Sequence, residues 1–200
     1  MAERAEAVVF DIGNVLIEWD PAKVYGPLLP DPEAFFARTG LHEMNLAVDR
    51  GRPMGEAVAE RATAHPADAD LIALWESRWA EMARPAIPGS VALLEALRGR
   101  GVPVYALSNF GAETFEVARG MYPFLDLFDG RVISAHHRTI KPEARIYEIL
   151  EEMAGRRGGG LFFTDDRADN IAAAAARGWQ THLFDGPEGL AAALRNAGLL

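Results

Sequence analysis

The sequence predicts an α/β protein in which a parallel sheet lies between two layers of helices and one helical segment is inserted. Short apolar runs recur without the polar alternation of half-exposed strands, as in strands covered on both faces. Helical patterns separate these runs, and such alternation produces parallel βαβ units in three layers. One long stretch breaks the alternation, because it has helical periodicity and no convincing strand.

Five apolar runs are predicted to be buried strands, since each is rich in Val, Ile, Leu or Phe. They cover residues 7–10, 102–107, 131–135, 161–164 and 179–184. Helices of the two outer layers are predicted at residues 90–100, 142–154, 168–177 and 189–197. Gly101 and Gly178 are natural helix stops, and Pro142 suits a first helical turn.

The predicted insertion covers residues 17–83. Helical periodicity is clear over residues 54–65 and 70–82, and prolines divide the stretch into short helices. A segment of this length is too long to be a loop. We therefore expect a core domain of residues 1–16 and 84–200, with residues 17–83 as an all-helical cap domain.

The composition excludes several classes of protein. The 200 residues include 20 basic and 29 acidic side chains, a formal charge of −9, and 50% of them are hydrophobic. This balance excludes a disordered chain and argues against nucleic acid or an anionic membrane as a partner, because no basic patch collects phosphates. The absence of Cys excludes disulfides, thiolate nucleophiles, zinc ribbons and iron–sulfur sites.

The sequence also bears on location and assembly. The N-terminal stretch lacks the apolar region of a signal peptide, and no run of 18 apolar residues occurs. We therefore expect a cytoplasmic protein that does not enter a membrane. A monomer and a homodimer are both compatible with the sequence.

Polar residues follow four of the predicted strands, where packing does not require them. In an open parallel sheet, ligands bind at the edge where the strands reach their carboxyl ends. The residues expected to meet at that edge are Asp11, Ser108, Asn109, Lys141, Asp165, Asp166 and, one turn later, Asn170.

This set of residues predicts phosphoryl-transfer chemistry. Asp11, Asp165 and Asp166 would repel one another unless a cation joined them, and Mg²⁺ is the usual partner of a few carboxylates and a phosphate. Lys141 and Ser108 are suited instead to the oxygens of a phosphoryl group. A carboxylate nucleophile, a bridging metal and donors around the phosphoryl oxygens together transfer a phosphoryl group.

Four motifs resemble those of the haloacid dehalogenase-like (HAD) hydrolase superfamily. They are VVFDIGNVL at 8–16, LSN at 107–109, IKPE at 140–143 and FTDDRADN at 163–170. The resemblance implies a Rossmann-like core with a helical type 1 cap inserted after the first motif. The opening DIGNV and the run KPEARIY at 141–147 are similar to sugar-phosphatase-like members, α-D-glucose-1-phosphate phosphatase among them.

The resemblance implies a nucleophile and a metal site. Asp11 would attack phosphorus and form an aspartyl-phosphate, which water then hydrolyses. Asp11, the backbone carbonyl of Gly13 and Asp166 would hold Mg²⁺. Lys141 would neutralise charge on Asp11 and the phosphate.

The resemblance also implies roles for the remaining motif residues. Ser108 and the Asn109 amide would bind phosphoryl oxygens. Asp165 would assist the metal through water, and Asn170 would orient the pair of acids. The implied function is Mg²⁺-dependent hydrolysis of a small phosphomonoester.

The chain departs from the family pattern at Gly13. Most phosphatases of this superfamily carry a second Asp there, which protonates the leaving oxygen and later activates water. General acid catalysis contributes about 10²–10⁴-fold to a rate. Three explanations are open: a good leaving group such as an anomeric sugar phosphate, a proton from a metal-bound water or a cap residue, or a weak phosphatase.

Two other functions stay open. As in a 2-haloacid dehalogenase, Asp11 would attack carbon and displace halide, although Asp165 and Asp166 would then repel the carboxylate of the substrate. In the second alternative, Gly13 indicates that catalytic activity has been lost, and the protein is a non-catalytic binder of phosphorylated metabolites. For a phosphatase and for such a binder, the expected partner is a small phosphorylated molecule.

Residues in the insertion are interpreted from their pattern alone. Trp75 and Trp79, four positions apart, are predicted to pack in the core of the cap. Glu18 and Trp19, at the junction with the core, are predicted to line the entrance to the site. The acid and base at positions 49 and 50 are interpreted as a surface ion pair of little energetic value.

Overall fold

The computed structural model describes residues 4–200, so the first three residues of the predicted core lie outside the described chain. The strands are β1 (Ala7–Phe10), β2 (Val104–Ser108), β3 (Gly130–Ile133), β4 (Leu161–Asp165) and β5 (Gln180–Leu183). The helices are α1 (Ala22–Tyr25), α2 (Pro32–Thr39), α3 (Leu41–Asp49), α4 (Met54–Ala64), α5 (Ala69–Ser77), α6 (Trp79–Met82), α7 (Pro88–Gly99), α8 (Ala112–Met121), α9 (Ser134–His137), α10 (Ala144–Ala154), α11 (Ala168–Ala176) and α12 (Pro187–Asn196). Short 3₁₀ turns cover Pro66–Asp68, Pro123–Leu127 and Gly158–Gly160.

The five strands form one parallel sheet with the spatial order β3-β2-β1-β4-β5. β1 is central, because Val8 pairs with Val104 on one side and with Phe162 on the other. Successive side chains of β1 enter different cores, with Val8 in one and Val9 in the other. Apolar layers on both faces of a parallel sheet confirm the predicted three-layer α/β fold.

The register of the sheet brings the ends of its three middle strands to one edge. Asp11 directly follows β1, Ser108 ends β2 and Asp165 ends β4. The backbone N–H of Asp11 donates to the carbonyl of Thr164 at 3.0 Å, so the pairing of β1 with β4 extends to this residue. These three polar residues therefore stand side by side on rigid strands.

Helices α1 to α6 follow one another between β1 and β2, within residues 17–83, and we call this stretch the helical insertion. The two segments that join it to the sheet run side by side. Glu18 N–H donates to the carbonyl of Pro85 and Asp20 N–H to that of Met82, both at 3.0 Å. One predicted helix, residues 70–82, is wrong: α5 and α6 are separate, because Arg78 between them has non-helical angles (φ −117°, ψ 17°).

Three further predictions were wrong in detail. β5 is an edge strand rather than a buried one, since it pairs only with β4 and Leu183 is 48% exposed. β3 ends at Ile133, and the next four residues form α9. α10 begins at Ala144 rather than Pro142, because Glu143 has an extended backbone (ψ 137°). Lys141 therefore lies in a turn before the helix.

The helices of residues 4–200 also bear on membrane insertion. None of them has the length and apolar character that a membrane span requires.

Candidate active site

Asp11 lines a cavity of about 460 Å³ at the carboxyl edge of the sheet. Its Oδ1 accepts hydrogen bonds from Ser108 Oγ and the Ile12 N–H, each at 2.7 Å, and lies 2.9 Å from Lys141 Nζ. All three contacts use Oδ1, so Oδ2 is the oxygen left for a ligand. Burial raises the pKa of Asp11 to about 7, because lost solvation outweighs the lowering effect of Lys141.

Lys141 joins the carboxylates at the ends of β1 and β4. We call the polar side chains at this edge of the sheet the cavity floor, namely Asp11, Ser108, Lys141, Asp165, Asp166 and Asn170. Lys141 Nζ lies 2.6 Å from Asp165 Oδ2 as well as 2.9 Å from Asp11 Oδ1, above the ring of Phe163. The side chain is 1% exposed, which excludes a solvated surface lysine. Burial alone would lower the pKa of Lys141, but the two carboxylates raise it above its usual value, so the ammonium stays charged.

The Asn109 side chain fixes the backbone of Lys141. Asn109 Nδ2 donates to the Lys141 carbonyl at 3.0 Å, and the Lys141 N–H donates to Asn109 Oδ1 at 2.7 Å. Both polar atoms of this side chain are therefore used in positioning the lysine. The backbone N–H of Asn109 is therefore the group of this residue that could contact a phosphate.

The consecutive acids Asp165 and Asp166 have different surroundings. Asp165 is fully buried, and besides Lys141 it accepts from the Arg167 N–H at 2.8 Å and from Asn170 Nδ2 at 2.9 Å. Asp166 is partly exposed and accepts from Asn14 Nδ2 at 3.1 Å. Burial raises the pKa of Asp166 above its usual value. Asn170 makes no hydrogen bond to Asp166, so among the described residues it orients only Asp165.

The carboxylates at this edge could hold a divalent metal ion. One oxygen from each of Asp11, Asp165 and Asp166 lies within 4.8 Å of the others, and Gly13 lines the cavity beside them. Oxygen donors of this kind suit a hard cation such as Mg²⁺. Because Asp165 already contacts an ammonium and two N–H donors, Asp11 and Asp166 are the better candidates for direct ligands.

One part of the cavity lining is apolar. Trp19, Trp79 and Phe110 form it with ring centroids 5.7 and 5.6 Å apart, and Ile17 and Leu46 continue the wall. We call these five residues the apolar wall. Trp79 therefore packs among its neighbours and also faces the cavity, which its helical spacing alone did not indicate.

Glu18 lines the cavity together with Trp19, as predicted, whereas Trp75 is 1% exposed and lies in the core.

Two residues that line the cavity were missed in the sequence. Asp49, at the end of α3, faces the cavity, and Arg50 pairs with Glu143 at 2.5 Å, so the predicted surface ion pair of residues 49 and 50 is wrong. Asn14 connects Asp166 to the Trp19 N–H, which donates to Asn14 Oδ1 at 2.9 Å. Asn14 has a positive φ of 54°, which Asn tolerates better than most residues. An Asn at this position is therefore the one sequence signal that could have indicated a special backbone conformation.

Similar proteins of known structure share this fold. A HAD family enzyme from Bacteroides thetaiotaomicron, solved with magnesium and inorganic phosphate, is 21% identical and covers 91% of this chain and 95% of its own, with a TM-score of 0.72. An L-2-haloacid dehalogenase is also 21% identical, over 90% of this chain and 86% of its own, with a TM-score of 0.67. At this identity the likeness establishes the fold and does not distinguish the two chemistries.

A curated relative is more similar in sequence. A sesquiterpene phosphatase from Aspergillus oryzae is 37% identical over 94 residues, which are 46% of this chain and 48% of that protein. The match therefore spans about half the length of the relative. The family model for haloacid dehalogenase-like hydrolases matches residues 5–178, which include strands β1 to β4, the helical insertion and every residue of the cavity floor. The chain belongs to the haloacid dehalogenase-like hydrolase family.

Proposed function

We propose that this hydrolase is a Mg²⁺-dependent phosphatase that hydrolyses a small phosphomonoester through an aspartyl-phosphate on Asp11. The proposal rests on three carboxylates whose oxygens lie within 4.8 Å of one another, two of which contact one buried ammonium. When ionised, three carboxylates and one ammonium carry a net charge of −2, which one Mg²⁺ would balance. A substrate without phosphate would leave the acidic cluster without a use.

The residues of the cavity floor have separate roles in this proposal. Asp11 Oδ2 attacks phosphorus, while Lys141 and Ser108 hold the other oxygen of the carboxylate and so fix the direction of attack. Mg²⁺, held by Asp11, the Gly13 carbonyl and Asp166, would supply positive charge to the phosphoryl oxygens. Asp165 keeps Lys141 in place, and Asn170 keeps Asp165 in place.

We propose the helical insertion as a cap domain, residues 17–83, on a core of residues 1–16 and 84–200. The paired connecting segments at Glu18 and Asp20 support this division, because they form a narrow junction between the two parts. Cap opening would admit substrate and cap closure would exclude bulk water. A cytoplasmic location accords with the small phosphorylated substrate.

The apolar wall supports a substrate with an apolar organic group. Aromatic and aliphatic side chains favour burial of hydrocarbon, by roughly 25 cal/mol for each Å² removed from water. The relative from Aspergillus oryzae bears the name of a phosphatase of sesquiterpene substrates, which accords with such a group. A sugar 1-phosphate is the competing substrate class, because its anomeric oxygen leaves readily without a general acid and Gly13 supplies none.

A phosphatase assay with magnesium control tests this proposal. We expect the purified protein to hydrolyse p-nitrophenyl phosphate with Mg²⁺ and to lose this activity in excess EDTA. Asp11→Asn lowers turnover by about 10⁴-fold or more, as removal of a nucleophile does. Asp70→Asn, an exposed acid in the first turn of α5, is the matched control and keeps full activity.

The outcomes separate the alternative functions. Hydrolysis that survives in Asp11→Asn removes Asp11 as the nucleophile. Halide release from a 2-haloacid in EDTA, without phosphatase activity, identifies a dehalogenase. Phosphate binding with neither activity identifies a non-catalytic binder. Prenyl phosphate, glucose 1-phosphate and glucose 6-phosphate, assayed side by side, then test the substrate class, and a preference for the 6-phosphate overturns both classes considered above.

A further inference from the structure

An alkyl phosphomonoester needs a proton on its leaving oxygen, and the cavity floor has no obvious donor. Gly13 offers only its backbone. Lys141 is held by two carboxylates that raise its pKa, which makes it a poor acid. Asp11 and Asp166 are assigned to attack and metal binding in the proposed function.

Two other acids that line the cavity are engaged by neighbouring bases. Glu18 lies 2.7 Å from Lys23 Nζ, with its side chain 48% exposed. Asp169 lies 2.8 Å from Arg167, and this pair lowers the pKa of Asp169. Both acids therefore already take part in ion pairs. Asp49 is the remaining carboxyl group among the described residues that line the cavity.

The surroundings of Asp49 favour a carboxyl group that carries a proton. No basic side chain pairs with it in the described chain, and its Oδ2 accepts from the neutral amide of Asn45 at 3.1 Å. Asn45 is held in turn by the indole N–H of Trp75, which donates to its Oδ1 at 3.2 Å. Burial, together with the nearby charge of Asp11, raises the pKa of Asp49 to about 7.

The backbone around Asp49 contacts the core, and these contacts would hold Asp49 at the cavity while the cap is closed. The Ser134 hydroxyl donates to the Asp49 carbonyl at 2.6 Å and accepts from the Phe110 N–H at 2.9 Å. At Gly51, a Cβ would lie 2.7 Å from the carbonyl oxygen of Ala135, so the turn after α3 packs directly on the core backbone.

We propose that Asp49, in the helical insertion, is the general acid of this enzyme. This inference rests on the phosphatase function proposed above. The bond between Asp11 Oδ2 and phosphorus forms as the bond from phosphorus to the leaving oxygen breaks. That oxygen takes the proton of the Asp49 carboxyl and departs as the alcohol. Asp49, now a carboxylate, removes a proton from the water that attacks the aspartyl-phosphate, which releases inorganic phosphate and restores both acids.

The dependence of rate on the leaving group tests this role. A nitrophenolate leaves without a proton, whereas an alkoxide does not, so the ratio of kcat/KM for butyl phosphate to that for p-nitrophenyl phosphate isolates the acid. We expect Asp49→Asn to lower this ratio by about 10²–10⁴-fold. The control Asp70→Asn, in the same insertion, leaves the ratio unchanged.

The remaining outcomes are distinct from failure of the proposed function. Asp11→Asn abolishes both reactions if the phosphatase assignment holds, whatever Asp49 does. An equal loss on both substrates in Asp49→Asn overturns the general-acid role, because it reports lost binding or folding. Full activity of Asp49→Asn on both substrates, which also leaves the ratio unchanged, overturns the general-acid role as well.

Discussion

The two sides of the cavity are built differently. The floor is made of charged and polar side chains at the ends of β1, β2 and β4, together with Lys141 from the turn before α10 and Asn170 from α11. These groups form one continuous network of hydrogen bonds and ion pairs. The apolar wall comes mostly from the helical insertion, which also contributes Glu18 and Asp49 to the lining of the cavity. In the proposed function, the floor carries the phosphoryl chemistry, the apolar wall receives the organic group and Asp49 supplies the proton.

The largest effect is expected where a charge is removed from the floor. Lys141→Met leaves Asp11 and Asp165 buried without a cation, and breaking a buried ion pair costs about 3–5 kcal/mol. We expect the free energy of unfolding, measured by urea denaturation in EDTA, to fall by this amount. Added Mg²⁺ should return part of it.

The other lysine of the chain provides the control. Lys23 pairs with Glu18 at 2.7 Å on the surface, so Lys23→Met should cost about 1 kcal/mol or less. Equal losses in the two variants would show that the floor network contributes no more to the free energy of unfolding than an exposed ion pair does.

A smaller effect tests whether the proton donor can be moved from one side of the cavity to the other. A Cβ at Gly13 meets no atom within 4 Å, so Gly13→Asp places a second acid on the floor without a steric clash. In the Asp49→Asn background we expect Gly13→Asp to raise kcat/KM for butyl phosphate about tenfold or more, part of the general-acid contribution. Gly120→Asp, which also meets no atom within 4 Å, is the control and should give no recovery.

The smallest effect concerns the apolar wall. Phe110→Ala removes one ring that lines the cavity, and loss of about 1.4 kcal/mol of apolar contact raises KM about tenfold with little change in kcat. Steady-state kinetics with prenyl phosphate measure the change. Phe124→Ala, in a ring pair with Tyr122 outside the cavity, should leave KM unaltered. A lower kcat in Phe110→Ala, with KM unchanged, would contradict a binding role.

The contrast between the two sides also explains what the sequence could predict. Asp11, Ser108 and Asp165 end or directly follow apolar strands, and Lys141 lies in the turn before α10. The edge of a parallel sheet gathers such residues whatever the details of packing. Asp11, Ser108, Lys141 and Asp165 were therefore identified from sequence, although the burial of Lys141 and the use of the Asn109 side chain to hold it were not.

The wall could not be predicted in the same way. Asp49 reaches the cavity because α3 ends against Ser134 and the turn at Gly51 packs on Ala135, and these contacts join residues about 85 positions apart. Helical periodicity places a residue on one face of its own helix but does not indicate which distant surface that face meets. For the same reason, Trp79 was assigned to the cap core and its exposure to the cavity was missed.

Direct detection of a phosphorylated Asp11 tests the central claim. The enzyme is mixed with substrate and Mg²⁺, stopped with acid within the first turnover and digested, and the peptides are analysed by tandem mass spectrometry. We expect the mass of one phosphoryl group on the peptide that contains residue 11, localised to Asp11 and absent from Asp11→Asn. Release of phosphate in that first turnover with no such adduct, or with the adduct on another residue, would contradict the account.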